Sequence, residues 1–229
     1  MGQKITGEIT GAISHSETAS ALAFQHRDAY LAPMPTAFEF CVPKAAKAVP
    51  VGPDWLHEIK YDGYRARLVR DGAKVRLESK AGLDWSWRFP FIVETARKMR
   101  PAQFAIDGEI VVLDVRGISD FEALHSGRHN AEAQLYAFDL LAEDGEDLRS
   151  QPLHARKGRL GRLLRRQPGG IFAAPFEPGA IGPRLFAAAC EMGLEGLVSK
   201  HRMRRYRPRT CDWIKVKNRA HPAMARRFV

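Results

Sequence analysis

Glu58-Ile59-Lys60-Tyr61-Asp62-Gly63-Tyr64-Arg65 fixes where the fold proper begins and where its chemistry can sit. Alternation through the preceding residues puts Trp55, His57 and Ile59 on one face of a strand and Leu56, Glu58 and Lys60 on the other. Asp62-Gly63 reads as a tight turn, after which Tyr64 to Arg70 resumes as a second strand. Lys60 is thus held by a strand on one side and opened to a ligand by a turn on the other, a seat suited to a nucleophile. An exposed hairpin carries the same signature, so this stretch alone leaves both open.

Upstream, Ala32-Pro33-Met34-Pro35-Thr36 and Val42 to Pro53 are proline-punctuated and extended, and Met1 to about His26 is small, polar and weakly periodic, which predicts a mobile arm. Downstream, Asp71-Gly72 signals a hairpin returning through Val75 and Leu77 to Ser79. Pro90 opens a helix carrying Ile92, Thr95, Ala96 and Met99, and Pro101 stops it. Phe104 to Asp114 and Gln134 to Leu141 predict strands, with Asp144-Gly145 turning the chain after the second. Leu153 to Arg166 predicts a helix with Leu153, Leu160, Leu163 and Leu164 inward and a dense basic face outward. Ile171 to Phe176 predicts a strand, Arg184 to Met192 a helix capped by Gly193, and Glu195 to Lys200 and Trp213 to Lys217 two more strands. Helices and strands mix without regular alternation, so the expected class is α+β, with antiparallel sheets flanked by helices.

At 229 residues and 45% hydrophobic content the chain can fill a proper core. Lys plus Arg exceed Asp plus Glu by 36 to 26, a net charge of +10 that favours a polyanionic partner. Cys41, Cys190 and Cys211 are odd in number and lack metal-ligand spacing, which predicts a reducing compartment and no structural zinc. No apolar run approaches the roughly 20 residues of a spanning helix, and no signal-peptide core is present. A membrane partner is not expected.

Four further constellations carry charge where a strand pattern makes it costly. Asp107 and Glu109 share a strand face with apolar neighbours and a glycine between them, which calls for a cation, a hydroxyl or a backbone amide unless the pair lies at a solvated sheet edge. Lys215 and Lys217 share a face, and two ammonium groups so placed repel unless an anion lies between them; a solvated edge strand is the alternative. Glu195 and Lys200 bracket an apolar strand, which also suits an ordinary salt-bridged strand end, and Phe138 beside Asp139 suits a core position as well as a ligand platform.

Taken in order, Lys60-Tyr61-Asp62-Gly63-Tyr64-Arg65, Ser79-Lys80-Ala81-Gly82, Asp107-Gly108-Glu109, Phe138-Asp139, Glu195-Gly196-Leu197-Val198-Ser199-Lys200 and Trp213-Ile214-Lys215-Val216-Lys217 resemble the motif series of an ATP-dependent DNA ligase adenylation domain. The connecting text, including Leu83-Asp84-Trp85, Arg88-Phe89-Pro90 and Lys217-Asn218, is similar to bacterial ligases of the end-joining type. The resemblance implies a nucleotidyltransferase (ATP-grasp-like) adenylation domain over 32–222, a mobile arm over 1–31 and a tail over 223–229. It implies that Lys60 attacks the α-phosphate of ATP, that Asp62 orients it, and that Lys200, Lys215 and Lys217 surround that phosphate. It places Glu58 against the adenine amino group, Phe138 against the ring, Arg65 and Glu109 at the ribose or the metal shell, and Glu195 at Mg²⁺. The implied substrate is nicked double-stranded DNA, in DNA repair in a bacterial cytoplasm, at the nucleoid.

Two departures from the family pattern bear on function. Lys80 stands where these ligases usually carry arginine after serine, replacing a bidentate grip on a nick phosphate by a point charge. Only 12 residues follow Lys217 (229 − 217), against a family that usually continues into a DNA-clamping OB-fold. The resemblance therefore implies either a minimal or adenylation-domain-only ligase, served by a separate OB-fold or DNA-end-binding protein, or a nick-binding module without efficient turnover, or an RNA-directed relative.

Overall fold

The computed structural model describes residues 38–165, 169–209 and 211–226. The arm expected over 1–31 lies outside them, as does the end of the expected tail. Two sheets make up the described fold. Strands β1 (Lys44–Ala45), β2 (Trp55–Ile59), β9 (Phe176–Pro178), β10 (Gly196–His201) and β11 (Ile214–Lys217) form one, in the order β1-β11-β10-β2-β9. The other runs β4 (Lys74–Ser79), β3 (Tyr64–Asp71), β5 (Gln103–Val111), β6 (Gln134–Glu143) and β7 (Glu146–Asp147), with β8 (Ile171–Ala173) beside β6. Pairing is antiparallel apart from β1 with β11 and β6 with β8, so the α+β expectation holds.

Asp62-Gly63 is a bend, but not a hairpin, because β2 and β3 belong to different sheets. The chain crosses from one sheet to the other between Lys60 and Tyr64. A side chain at Gly63 would put its Cβ 2.1 Å from the Ile110 carbonyl oxygen, so the crossing passes too close to β5 for any residue but glycine. The segment predicted as one strand over Ile171 to Phe176 also divides between the sheets, β8 pairing with β6 and β9 with β2. Local pattern cannot tell one strand from two that share a hydrophobic run.

Helices α1 (Pro90–Lys98) and α3 (Leu153–Leu164) cover the larger sheet, sealing Phe89, Ile92, Leu160 and Leu163 against Leu68, Leu77, Phe104, Ile106 and Leu140. Helix α4 (Gly182–Glu191) packs Ala189 against Leu197 and Val216 of the smaller one. Where the sheets meet, Phe38, Ala105, Leu141, Tyr206 and Trp213 form a third cluster, with Phe138 and Val198 packed on it. A short helix α2 (Phe121–His125) is capped by the Asp120 carboxylate, which accepts from the Ala123 amide.

Two sequence expectations need correction. α3 does not turn all its basic residues outward: Arg156 and Lys157 are buried, Arg156 in a two-bond pair with Asp139 at 2.7 and 2.8 Å. They stand three and four residues after Leu153 and belong to the same stripe as Leu160. Cys41 and Cys211, whose spacing gave no sign of pairing, form a disulfide across 170 residues of sequence, near the join between the sheets.

Candidate nucleotide-binding site

Lys60 follows directly on β2, where its amide donates to the Gly196 carbonyl at 2.9 Å and so fixes its place against β10. Gly196 has φ +143, and a Cβ there would lie 2.1 Å from the Val216 carbonyl oxygen, so β10 starts tight against β11. This close pairing sets Glu195, just ahead of β10, between two lysines: its carboxylate oxygens lie 2.6 Å from Lys60 Nζ and 2.8 Å from Lys217 Nζ. Burial works to raise the Glu195 carboxyl, but Lys60 and Lys217 outweigh it and hold it below the usual range.

A cavity of about 200 Å³ opens beside Lys60, walled by Val42, Pro43 and Ile59 and bringing together Glu58, Lys60, Arg65, Lys80, Glu109, Phe138, Lys200 and Lys215. Eight of the residues singled out from sequence thus face one space. Lys217, Glu195 and Asp62 do not line it. Lys217 is paired with Glu195, and Asp62 and Glu195 line a second cavity of about 190 Å³ that shares Ile59, Lys60 and Tyr61 with the first. Lys60 therefore stands in the wall between the two.

The aromatic end of the first cavity is made by Phe138 and Trp213, edge to face at 5.9 Å. Lys200 Nζ lies 4.1 and 4.0 Å from their ring centres and donates to Glu58 at 2.7 Å, so its ammonium sits at this end. Burial, with Lys157 nearby, pushes Lys200 down to about 8 against the opposing pull of Glu58. Arg65 is locked rather than free: it donates twice to Asp107, at 3.0 and 2.7 Å, and once to the Cys41 carbonyl at 2.7 Å. Tyr206 adds a third hydrogen bond to Asp107 at 2.7 Å. The Asp107–Glu109 pair is accordingly no sheet-edge pair, since Asp107 is fully buried and paired on β5.

Glu109 stands across the strand pair from Arg65 and is pushed up to about 7, mainly by burial. Lys215 is held below its ordinary range by burial and by Lys60, Lys217 and Lys80. β1 flanks β11 at Ile214 and Lys215, and Lys217 beyond it is bridged to Glu195, so neither lysine is a free solvated fringe. Asp62 is bound by Arg226 at 2.7 and 2.8 Å, with the guanidinium 4.0 Å from the Phe121 ring centre. The sequence had offered no chemistry for Arg226. Lys157 and the aromatic wall of Trp213 were likewise missed, although the placing of Lys157 on the Leu153–Leu160 stripe was a signal for the first.

The chain that builds this cavity matches a known family over most of its length: the model of the ATP dependent DNA ligase domain matches residues 39–217. The chain belongs to that family. This ligase domain is 38% identical over 194 residues to the multifunctional non-homologous end joining protein LigD of Pseudomonas aeruginosa, covering 81% of this chain and 22% of that protein. It is 31% identical over 191 residues to DNA ligase C of Mycobacterium tuberculosis, covering 76% of this chain and 52% of the other. Among solved structures it is similar to a mycobacterial DNA ligase D complexed with ATP and MES, with a TM-score of 0.66 and 29% identity over 82% of this chain and 60% of that one. The ligase domain thus spans about half or less of these curated relatives. Among the described residues no helix is long and apolar enough to cross a membrane, and no group of three or more candidate ligands gathers as for a metal ion.

Proposed function

We propose that residues 32–222 act as the adenylation domain of an ATP-dependent DNA ligase, with Lys60 as the nucleophile. The supporting observation is the convergence of Glu58, Lys60, Arg65, Lys80, Glu109, Phe138, Lys200 and Lys215 on one cavity. ATP enters with adenine stacked on Phe138, its amino group toward Glu58 and its phosphates toward Lys60 and Lys215. The Lys60 amine, having passed its extra proton to solvent, attacks the α-phosphorus in line; the N–P bond forms as the bond to pyrophosphate breaks, and the second proton lost from the nitrogen also goes to solvent. Its contact with Glu195 opens for this, and Lys217 remains on that carboxylate. Lys215, whose charge burial disfavours, gains an anionic partner in the phosphate, and the gain is largest as charge develops in the transition state. Arg65, held by Asp107 and the Cys41 carbonyl, presents a fixed edge to the ribose.

The site also fits a hard divalent cation. Glu109 is a carboxylate pushed up by burial, whose charge a cation would stabilise, and Glu195 lies close enough to act on it electrostatically. Glu109, and Glu195 once freed from Lys60, would hold Mg²⁺, which supplies charge neutralisation on the phosphates. Asp62 orients groups in the second cavity after release from Arg226. Lys80, exposed at the cavity mouth, meets the 5′-phosphate of nicked double-stranded DNA, to which AMP passes before a 3′-hydroxyl displaces it. An OB-fold module or a DNA-end-binding protein, in the same polypeptide or a separate one, completes the grip on the duplex. The setting is bacterial, cytoplasmic and nucleoid-associated DNA repair.

Incubation with α-labelled ATP and Mg²⁺ tests the proposal. Intact mass should rise by one AMP, and Lys60→Ala should abolish the gain. Undiminished labelling of that variant would remove Lys60 as nucleophile.

A further inference from the structure

Lys157 is a buried cation that the chemistry above does not use. It projects from α3 with its side chain 3% exposed, its Nζ 2.6 Å from Glu58 Oε1 and 4.9 Å from the Phe176 ring centre. Glu58 Oε2 is already held by Lys200 at 2.7 Å. One lysine would neutralise the carboxylate; a second adds a buried positive charge, which stability alone does not call for. Lys157 does not line the nucleotide cavity, whereas Glu58 and Lys200 both do, so any effect of Lys157 on a ligand passes through Glu58.

The geometry of the trio says what that effect is. The Lys157 ammonium lies against Oε1, an oxygen with no exposed surface, so Lys157 holds the buried side of the Glu58 carboxylate. Oε1 is thereby drawn to the back wall, and Oε2, which takes one bond from Lys200, keeps its second lone pair as an acceptor beside the Lys200 ammonium, which is a donor. Acceptor beside donor complements the edge of adenine, which offers an amino donor at C6 and an acceptor at N1, and opposes a 6-oxopurine, where both are reversed.

We infer that Lys157 is a positioning residue that holds Glu58 from behind and sets the preference for a 6-aminopurine nucleotide over a 6-oxopurine one. The inference rests on the adenylation reading of the cavity and extends it to base selection. Without Lys157, Glu58 closes fully onto Lys200, and each spends on the other the hydrogen bond meant for the base.

Single-turnover covalent labelling with ATP and with ITP, in the presence of Mg²⁺, tests this. Lys157→Met should raise the half-saturating ATP concentration and lower the ATP-to-ITP preference, each by roughly tenfold, the size of one lost hydrogen bond to a charged group. The maximal labelling rate should stay within about twofold, because Lys157 does not touch the reacting atoms. Lys157→Arg should restore the preference. If Lys157→Met does not fold, Lys157→Gln, which keeps length and polarity without charge, gives the same comparison. A folded neutral variant with the wild-type ATP-to-ITP ratio overturns the inference. A Glu58→Gln variant with an unchanged ratio overturns it at its base-reading premise while leaving adenylation standing, and a wild-type chain that does not label at all overturns the adenylation reading itself.

Discussion

Glu109 is the residue on which burial and charge are most finely set against each other. Two of the cations that act on it, Lys60 and Arg65, are held by Glu195 and Asp107, so burial dominates and its carboxyl is pushed up to about 7. In the unfolded chain the same group titrates near 4.5, so the folded state binds the proton more tightly. The stability this group contributes is full below about 4.5 and is lost as pH rises through about 7. In metal-free buffer, the urea midpoint of the wild type should therefore fall, relative to Glu109→Gln, between about pH 5 and about pH 8. Parallel curves for the two proteins would show that the carboxyl is not held in this state. The Asp139–Arg156 pair makes a simpler expectation: both side chains are fully buried, and Asp139→Ala should cost about 3–5 kcal/mol by urea unfolding, since it strands a guanidinium under α3.

At the scale of elements, β11 is the clearest link between pattern and chemistry. Its alternation sends Val216 into the α4 core and turns Lys215 and Lys217 toward the site, one onto the cavity and one onto Glu195. Lys215→Ala and Lys217→Ala should each slow adenylation by more than about tenfold, at least roughly 1.4 kcal/mol of transition-state stabilisation, with the far-ultraviolet spectrum unchanged. Wild-type labelling rates in both would reduce the strand to scaffolding. Such a strand is legible from sequence because its period of two states which residues share a face, and the same holds for β5 with Asp107 and Glu109. What period cannot state is which strand lies alongside. Ile171 to Phe176 reads as one strand yet serves two sheets, and Asp62-Gly63 reads as a tight turn, open to a hairpin, yet carries the chain between them. Arg226 on Asp62 and the Cys41–Cys211 bond depend on contacts across 164 and 170 residues, for which a single sequence holds no local signal. Buried lysine at position 157 lay between these cases: the helical stripe marked it as inward, while its charge argued for solvent.

For the molecule as a whole, the two sheets are tied by the crossing at Gly63, and the site lies where they meet. Gly63→Ala drives a Cβ into backbone rather than into a side chain that could turn aside, so it should destabilise by about 1–3 kcal/mol and weaken ATP labelling together with stability. The charge of the molecule is divided in a way that separates its two expected substrates. Inside the site, Lys60 and Lys217 share Glu195, and Lys157 and Lys200 share Glu58; these groups are largely enclosed and little screened by salt. The net charge of +10 must otherwise be carried by lysines and arginines open to solvent, and their hold on a duplex is mostly counterion release. Affinity of the 229-residue chain for nicked DNA should therefore fall by at least about tenfold between roughly 50 and 200 mM salt, whereas its rate of labelling by saturating ATP should change by less than about threefold. Fluorescence anisotropy on a nicked duplex and single-turnover labelling, run over the same salt series, measure both. Nick binding that resists salt would mean that shape and hydrogen bonding, rather than this exposed charge, hold the DNA; labelling that collapses with salt would mean that the lysines around Lys60 are open to solvent in solution.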